Sequence, residues 1–160
     1  MSAREPVAGF AIAAVLQDGE WWCSALSNNA LTSLDAALTE VLNVAAEGAV
    51  LALLAVDDEF FVIVRPAPGG AELMLSDASA ALDYDIAADV LDMLRASTPA
   101  DDDDAAWPDG DLAIVADLGL PAEELEMIAG DDGLYPDEQL RIVAQRCGFG
   151  EQFDEILERI

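Results

Sequence analysis

The sequence predicts an α+β fold: a mainly antiparallel sheet of five strands that carries two helices, followed by a small C-terminal helical subdomain. The main observation is the stretch AVLALLAV-DDE-FFVIVR at residues 49–65, which predicts two apolar strands joined at an acidic turn. Before this stretch, a hairpin signal precedes a segment with the apolar spacing of a helix. After residue 97, only helical spacing recurs.

Two strands are predicted to open the sheet. Residues 7–16, VAGFAIAAVL, are continuously apolar, which is typical of a strand covered on both faces. Asp-Gly at residues 18–19 favours a tight hairpin turn, and residues 20–26 return as the second strand. Adjacent side chains on a strand point to opposite faces, so Trp21 and Trp22 must separate. The outward tryptophan is either covered by a helix, which we expect, or exposed as a binding anchor.

Helical spacing marks two helices in this first part. Thr32 or Ser33 can cap the first helix, whose apolar face runs from Leu34 to Ala45. The second helix starts at Asp83 or Asp85. Three strands lie between the helices, at residues 49–56, 60–64 and 71–76. The order ββαβββα resembles profilin-like folds of the longin and roadblock type, which are mostly adaptor and regulatory modules; the likeness is one of topology alone.

A linker is predicted at residues 97–110, STPADDDDAAWPDG, because its aspartates repel one another and its proline and glycine residues prevent regular structure. The linker would separate a sheet domain at residues 1–96 from a helical subdomain at residues 111–160. Trp107 lies within the linker. It either holds the linker against the body of the protein or anchors a partner.

Short helices are predicted after the linker. Pro121 and Pro136 each suit the start of a helix, with acidic residues near its positive end, and Gly148 suits a helix end. Apolar residues recur at helical spacing: Leu125, Ile128, Leu140, Val143, Ala144, Cys147, Phe153, Ile156, Leu157 and Ile160. Helices of this length are unstable alone, so they must pack on one another, on the sheet or on a partner.

The charge balance restricts the partners. The chain has 33 acidic residues, six arginines, no lysine and a net charge of −27. This composition argues against direct binding to nucleic acid or to an anionic membrane, and it favours a basic protein as partner. We expect solubility to be the main reason for the acidity.

No stretch approaches the ~20 apolar residues of a membrane span. Cys23 and Cys147 form no motif, which fits a reducing compartment, so we expect a cytoplasmic protein.

The chemistry is constrained mostly by what the sequence lacks. Without histidine and lysine, the chain has no Ser-His or Cys-His nucleophile pair, no Schiff base and no P-loop. Asp101 and Asp103 begin a calcium-loop spacing, but alanines at 105 and 106 take a ligand position and the glycine position. We therefore predict no catalytic, cofactor-binding or metal-binding residues. An enzyme that uses carboxylates alone is the remaining catalytic alternative.

Several short motifs in the C-terminal third resemble those of a known family. They are Gly110-Asp111-Leu112, Ala116-Asp117-Leu118-Gly119-Leu120, Leu134-Tyr135-Pro136-Asp137-Glu138, and Cys147-Gly148-Phe149-Gly150 followed by Phe153, together with Ser76-Asp77 after the fifth strand. The chain is similar here to the actinobacterial tRNA adenosine deaminase-associated proteins, whose name rests largely on gene neighbourhood. The chain lacks the H-x-E and P-C-x-x-C motifs of a zinc deaminase, so the resemblance implies an accessory protein.

The sequence thus predicts a non-enzymatic protein that binds a tRNA adenosine deaminase or another basic protein. The candidate contacts are Trp107, Leu134, Tyr135, Phe149 and Phe153. The alternative for all five residues, which we favour, is ordinary packing within the helical subdomain. The alternative function is an acidic adaptor unrelated to the deaminase, which forms homo-oligomers through a sheet edge or a helix.

Overall fold

A sheet with helices on both faces forms the body of the protein. The computed structural model describes residues 9–43, 50–67, 70–77, 80, 83–94, 109–131 and 133–159. The strands are β1 (Gly9–Gln17), β2 (Glu20–Ala25), β3 (Val50–Val56), β4 (Phe60–Ala67), β5 (Gly70–Leu75) and β6 (Asp109–Gly110). The helices are α1 (Leu34–Asn43), α2 (Asp85–Leu94), α3 (Ala122–Ala129), α4 (Pro136–Cys147) and α5 (Gly150–Arg159). The predicted α+β class and the ββαβββα order are confirmed.

The strand order in the sheet is β2-β1-β3-β4-β5-β6, and each neighbouring pair is antiparallel. Every residue of β3 is buried. Ala52 and Leu54 face α1 and α2, whereas Leu51 and Leu53 face the C-terminal helices. Side chains alternate between the two faces of a strand, so a strand covered on both faces must be apolar at every position. The pattern of the central stretch therefore reflects two layers of cover.

Two tight turns define the hairpins. Asp18 and Gly19 connect β1 to β2 with positive φ angles of 55° and 80°. Asp57 and Asp58, with φ angles of 54° and 57°, connect β3 to β4, and the Glu59 amide closes that turn on the Val56 carbonyl at 2.8 Å. Successive positive φ angles match the twist of the flanking strands, and aspartate tolerates them better than most residues. Both predicted turns are confirmed.

Helices α1 and α2 cover the first face of the sheet. Ser33 caps α1, since its Oγ accepts a hydrogen bond from the Ala36 amide at 3.3 Å. The Leu34 amide donates to Asp89 of α2 at 3.3 Å, which connects the two helices. The starts predicted at Ser33 and Asp85 agree with the structure. The predicted continuation of α1 to Ala45 lies outside the described residues.

The C-terminal helices cover the second face. Their buried side chains form one cluster with the inward-facing residues of β1, β3, β4 and β5: Leu125, Leu140, Val143, Phe149 and Phe153 with Ile12, Leu51, Leu53, Phe61, Ile63 and Met74. Trp21 of β2 packs against Phe149 with ring centroids 4.7 Å apart. Phe10 of β1 meets Phe153 edge to face at 5.8 Å. The helices therefore pack on the sheet, as one of the alternatives left open by the sequence.

The end of the predicted linker belongs to the sheet. Asp109 and Gly110 form β6 and pair with Leu75 and Met74 of β5, which places β5 inside the sheet instead of at its outer edge. The Asp111 amide extends this pairing with a bond to the Leu73 carbonyl at 2.8 Å. A two-residue strand is set by its docking partner, so local composition does not indicate it. Residues 95–108 lie outside the described residues, and the division into separate domains stays a prediction.

Arg65 of β4 connects the sheet to the segment that precedes α3. Its guanidinium donates to the Ile114 carbonyl at 2.8 Å and to both carboxylate oxygens of Asp117 at 2.7 and 2.9 Å. The hydrogen bond from Arg65 holds the pKa of Asp117 below its usual value, and the bond to Asp117 raises the pKa of Arg65. A bidentate ion pair of this kind fixes the relative orientation of the two side chains as well as the distance between them.

Replacing Phe153 with alanine should lower the free energy of unfolding by about 3–5 kcal/mol, because a fully buried ring is lost. Since the helices and the sheet share a core, we expect a single transition in guanidinium, seen alike by tryptophan fluorescence and circular dichroism. Met127→Ala, at an exposed position of α3, is the control and should change stability by less than about 0.5 kcal/mol. Two transitions, with only the helical one shifted by Phe153→Ala, would show that residues 111–160 fold separately.

Replacing Asp117 with asparagine should lower stability at neutral pH by up to about 1 kcal/mol, a small effect because the Asp117 side chain is largely exposed. The pKa of Asp117 is lowered by folding, so its stabilisation is present above the unfolded-state pKa of about 3.9 and is lost as the pH falls through the lower folded-state pKa. Denaturant unfolding of both proteins from pH 7 to pH 2 measures this difference.

The control for that series is Asp154→Asn. Asp154 accepts a single 3.0 Å bond from Arg141 in an exposed pair, so its loss should cost only a few tenths of a kcal/mol. A stability difference for Asp117→Asn that is the same at pH 7 and pH 2 would mean that the ionised carboxylate is not the stabilising group.

Candidate partner-binding surface

The predicted contact residues separate into buried and exposed groups. Phe149 and Phe153 are fully buried in the core between the helices and the sheet. These two residues pack in the core, which was the alternative to a partner contact, so their side chains present no surface to a partner in this structure. Trp107 lies outside the described residues. Leu134 and Tyr135 remain at the surface, with Leu134 half-buried and Tyr135 62% exposed.

Tyr135 is held at the start of α4. Its amide donates to the Glu138 carboxylate at 2.9 Å, and Pro136 occupies the first helical position. This arrangement satisfies an amide that the helix itself cannot reach, and it fixes the backbone from which the phenol projects. The sequence Tyr-Pro-Asp-Glu therefore presents an aromatic ring in a defined position.

A cleft of about 320 Å³ opens beside Tyr135. Three separate parts of the chain line it: the β3–β4 turn, the residues that follow β5, and the α3–α4 connection with the start of α4. The lining residues are Asp58, Glu59, Ser76, Asp77, Ala129, Asp131, Leu134, Tyr135, Pro136 and Gln139. Two of the motifs that carry the family resemblance, Ser76-Asp77 and Leu134–Glu138, thus meet at this cleft.

Two buried polar side chains hold the walls of the cleft. The Ser76 hydroxyl accepts the Phe61 amide at 2.8 Å, and the Ser76 amide donates back to the Phe61 carbonyl at 3.0 Å. The Gln139 amide group donates to the carbonyl of Ile128 at 2.7 Å, which joins α4 to the end of α3. Because buried polar groups are costly without partners, both bonds favour one arrangement of the walls.

The cleft is acidic. Asp58, Glu59, Asp77 and Asp131 contribute carboxylates, and none of the described arginines lines the cleft. Arg65, Arg141 and Arg146 pair elsewhere, with Asp117, Asp154 and Glu124 respectively. Asp131 also accepts the Gly133 amide at 2.9 Å, which shapes the α3–α4 connection. The cleft therefore suits a cationic side chain that approaches an exposed aromatic ring.

Sequence reasoning identified Leu134 and Tyr135 but missed Asp58 and Glu59. These two carboxylates belong to a hairpin turn, which the sequence shows only as a turn. They reach α4 because the C-terminal helices dock on the second face of the sheet. Only the Ser76-Asp77 motif indicated that this end of the sheet contributes to the candidate surface.

The cysteines remain thiols at neutral pH. Burial raises the pKa of Cys23 to about 12 and that of Cys147 to about 11. Since the thiolate is the nucleophile, neither side chain is activated. Among the described residues, no group of three or more His, Cys, Asp and Glu side chains is arranged to hold a metal ion. In the same part of the chain, no helix combines the length and the apolar character that a membrane crossing requires.

The expectation that a helix covers the outward tryptophan of β2 is wrong. Trp21 packs inward against Phe149, whereas Trp22 is 62% exposed. The reason is that β2 is the end strand of the sheet, whereas α1 packs on β3 and β4. Trp22 is a second exposed aromatic residue, on a different side of the molecule from Tyr135.

Comparison with known proteins identifies relatives over almost the whole chain. The family model described as Rv3753c-like tRNA adenosine deaminase-associated protein matches residues 9–150. Protein Rv3753c of Mycobacterium tuberculosis is 51% identical over 154 residues, which cover 95% of this chain and 89% of that protein. No solved structure matches. The chain therefore belongs to the family of Rv3753c-like tRNA adenosine deaminase-associated proteins.

Proposed function

We propose that the protein is a non-enzymatic accessory protein that binds a tRNA adenosine deaminase through the acidic cleft beside Tyr135. The family description supports an association with that enzyme. The observation that supports the cleft as the contact is its set of carboxylates next to an exposed aromatic ring. Each of these features suits a lysine or an arginine of the partner.

A tRNA-binding enzyme offers such side chains. Proteins that bind nucleic acid neutralise phosphates with lysine and arginine, and the same cations complement carboxylates. A guanidinium that enters the cleft can form two hydrogen bonds with a carboxylate and stack on the Tyr135 ring. On this basis, the protein and tRNA compete for the same basic surface of the deaminase, and the complex forms in the cytoplasm.

The net charge of −27 would accelerate the encounter. Opposite charges on two proteins raise the association rate, and salt weakens this effect. The charge of the whole surface would steer the partner, and the cleft would fix its position. The two contributions differ in one respect: only the contribution of the cleft depends on particular residues.

The cleft variant Asp58→Asn/Glu59→Gln/Asp131→Asn should weaken deaminase binding at least about tenfold, since it removes three candidate partners of a cation. The control variant Asp35→Asn/Asp92→Asn/Glu158→Gln changes the net charge equally at exposed positions on other helices, and it should weaken binding by less than about threefold. Titration calorimetry with the deaminase of the same organism, at low and moderate salt, measures both effects.

Size-exclusion chromatography with light scattering tests the competition with tRNA. The protein and the deaminase should elute together, and added tRNA should separate them. If both charge variants lose the same affinity, binding is driven by general charge attraction and not by the cleft. Separate peaks in every condition would contradict a direct complex. In that case, a dimer of the protein alone would favour the adaptor function.

A further inference from the structure

The outer edge of β2 is the second surface that suits a partner. β2 is the first strand of the sheet, and among the described residues it pairs only with β1. A strand at a sheet edge offers unpaired backbone amides and carbonyls to another extended chain. The edge of β2 thus has the chemistry that accepts an added strand.

The register identifies the outward-facing backbone groups. Gln17 and Glu20 flank the two-residue turn, so they form a hydrogen-bonded pair, and such pairs alternate along an antiparallel ladder. The 2.8 Å bond from the Leu26 amide to the Ala11 carbonyl confirms this phase. Even-numbered residues of β2 therefore bond to β1. Trp21, Cys23 and Ala25 direct their amides and carbonyls outward.

A groove on one face of this edge suits a cation. It measures about 400 Å³ and is lined by Val15, Gln17, Asp18, Glu20 and Trp22. Trp22 lies opposite Val15 in the register and is 62% exposed. Asp18 and Glu20 add two carboxylates beside the indole. A lysine or arginine over an indole ring is stabilised by the ring's negative face, and nearby carboxylates strengthen that preference.

The groove on the other face combines apolar and polar side chains. It measures about 360 Å³ and lies between β2 and α5, lined by Glu20, Trp21, Trp22, Cys23, Gln152, Glu155, Ile156 and Arg159. Trp21 and Ile156 belong to the edge of the core behind it. This groove suits an apolar side chain between the indole and Ile156. An added strand would direct alternate side chains into the two grooves.

The charge decides between a second copy of this chain and a basic partner. Two copies would bring together chains that each have a net charge of −27, and both would contribute Asp18 and Glu20 to the joint edge. Like charges at close range oppose association. A segment with basic residues would neutralise these carboxylates and would place a cation over Trp22.

We propose that the β2 edge binds an extended segment of a partner protein in which basic and apolar residues alternate, as an added strand of the sheet. The basic side chains lie over Trp22 beside Glu20, and the apolar side chains lie between Trp21 and Ile156. This surface is separate from the acidic cleft. The inference does not depend on the deaminase being the partner.

The test uses the full-length protein and a fluorescent peptide that alternates lysine and valine over about seven residues, the length of an ordinary strand. Fluorescence anisotropy should show binding, and an alternating glutamate–valine peptide should not bind. Trp22→Ala should weaken binding at least about fivefold. Met127→Ala removes a similarly exposed apolar side chain on α3 and should leave binding unchanged.

Backbone methylation tests strand addition separately from charge. Two lysine–valine peptides carry N-methyl groups on alternate residues, in opposite phases. One phase blocks the amides that face β2 and should lose affinity at least about tenfold, while the other phase should still bind. Equal binding of both peptides would reduce the contact to charge attraction and overturn the proposal.

A second copy at the edge is distinguished by light scattering of the protein alone. A monomer is expected. A dimer that Trp22→Ala converts to a monomer would show that the edge is filled by another copy of this chain, and the partner-segment proposal would fail. The cleft variant should bind the lysine–valine peptide like the wild type, so the two proposed surfaces can fail independently.

Discussion

The burial of β3 and β4 on both faces is the constraint on which the rest of the structure depends. Leu51, Leu53 and Leu54 are fully buried, and the first two face away from the third. Burying one leucine side chain contributes roughly 1.5–3 kcal/mol. A sheet covered only by α1 and α2 would leave one row of these side chains in water. The C-terminal helices are therefore part of the core, although the sequence shows them as an appendage.

That docking also creates the acidic cleft. Asp58 is on a hairpin turn, Ser76 follows β5, and Tyr135 begins α4. No local property of these residues relates them to one another. They converge because α4 packs on β3 and β4 while Arg65 holds the segment before α3 through Ile114 and Asp117. The site is a consequence of the second layer of cover, and its geometry depends on the stability of that layer.

Local chemistry made much of the fold predictable. Asp-Gly at 18–19 indicated a turn, Ser33 a cap and Pro136 a helix start, because each acts through its own backbone within a few residues. The candidate site was predictable only in part. The sequence marked Phe153 and Leu134 equally as candidate contacts or packed residues, yet Phe153 is buried and Leu134 lines a cleft.

The exposure of Trp22 and the pairing of Asp109 could not be predicted from the sequence, for a related reason. An aromatic side chain on a strand is covered only if a helix extends over that strand, and this depends on the order of strands in the sheet. A two-residue strand exists only because β5 presents an edge to it. Both features follow from tertiary position, which residue spacing does not encode.

The positions of the two acidic surfaces allow them to act separately. The cleft opens at the β3–β4 turn, and Val56 just before that turn pairs with Gly9 of β1, whereas the groove beside Trp22 lies at Val15. Six residues along β1, at ~3.3 Å each, place the two surfaces roughly 20 Å apart. The screening length at physiological ionic strength is only about 8 Å, so a charge change in one surface is weakly felt at the other. The surfaces also differ in what they require of a partner. The cleft receives a cationic side chain that a folded surface presents, whereas the β2 edge requires an extended segment and orders it, at an entropic cost of about 1–2 kcal/mol per residue fixed. A folded partner would satisfy the cleft alone, and a partner with an extended basic segment could use both surfaces at once.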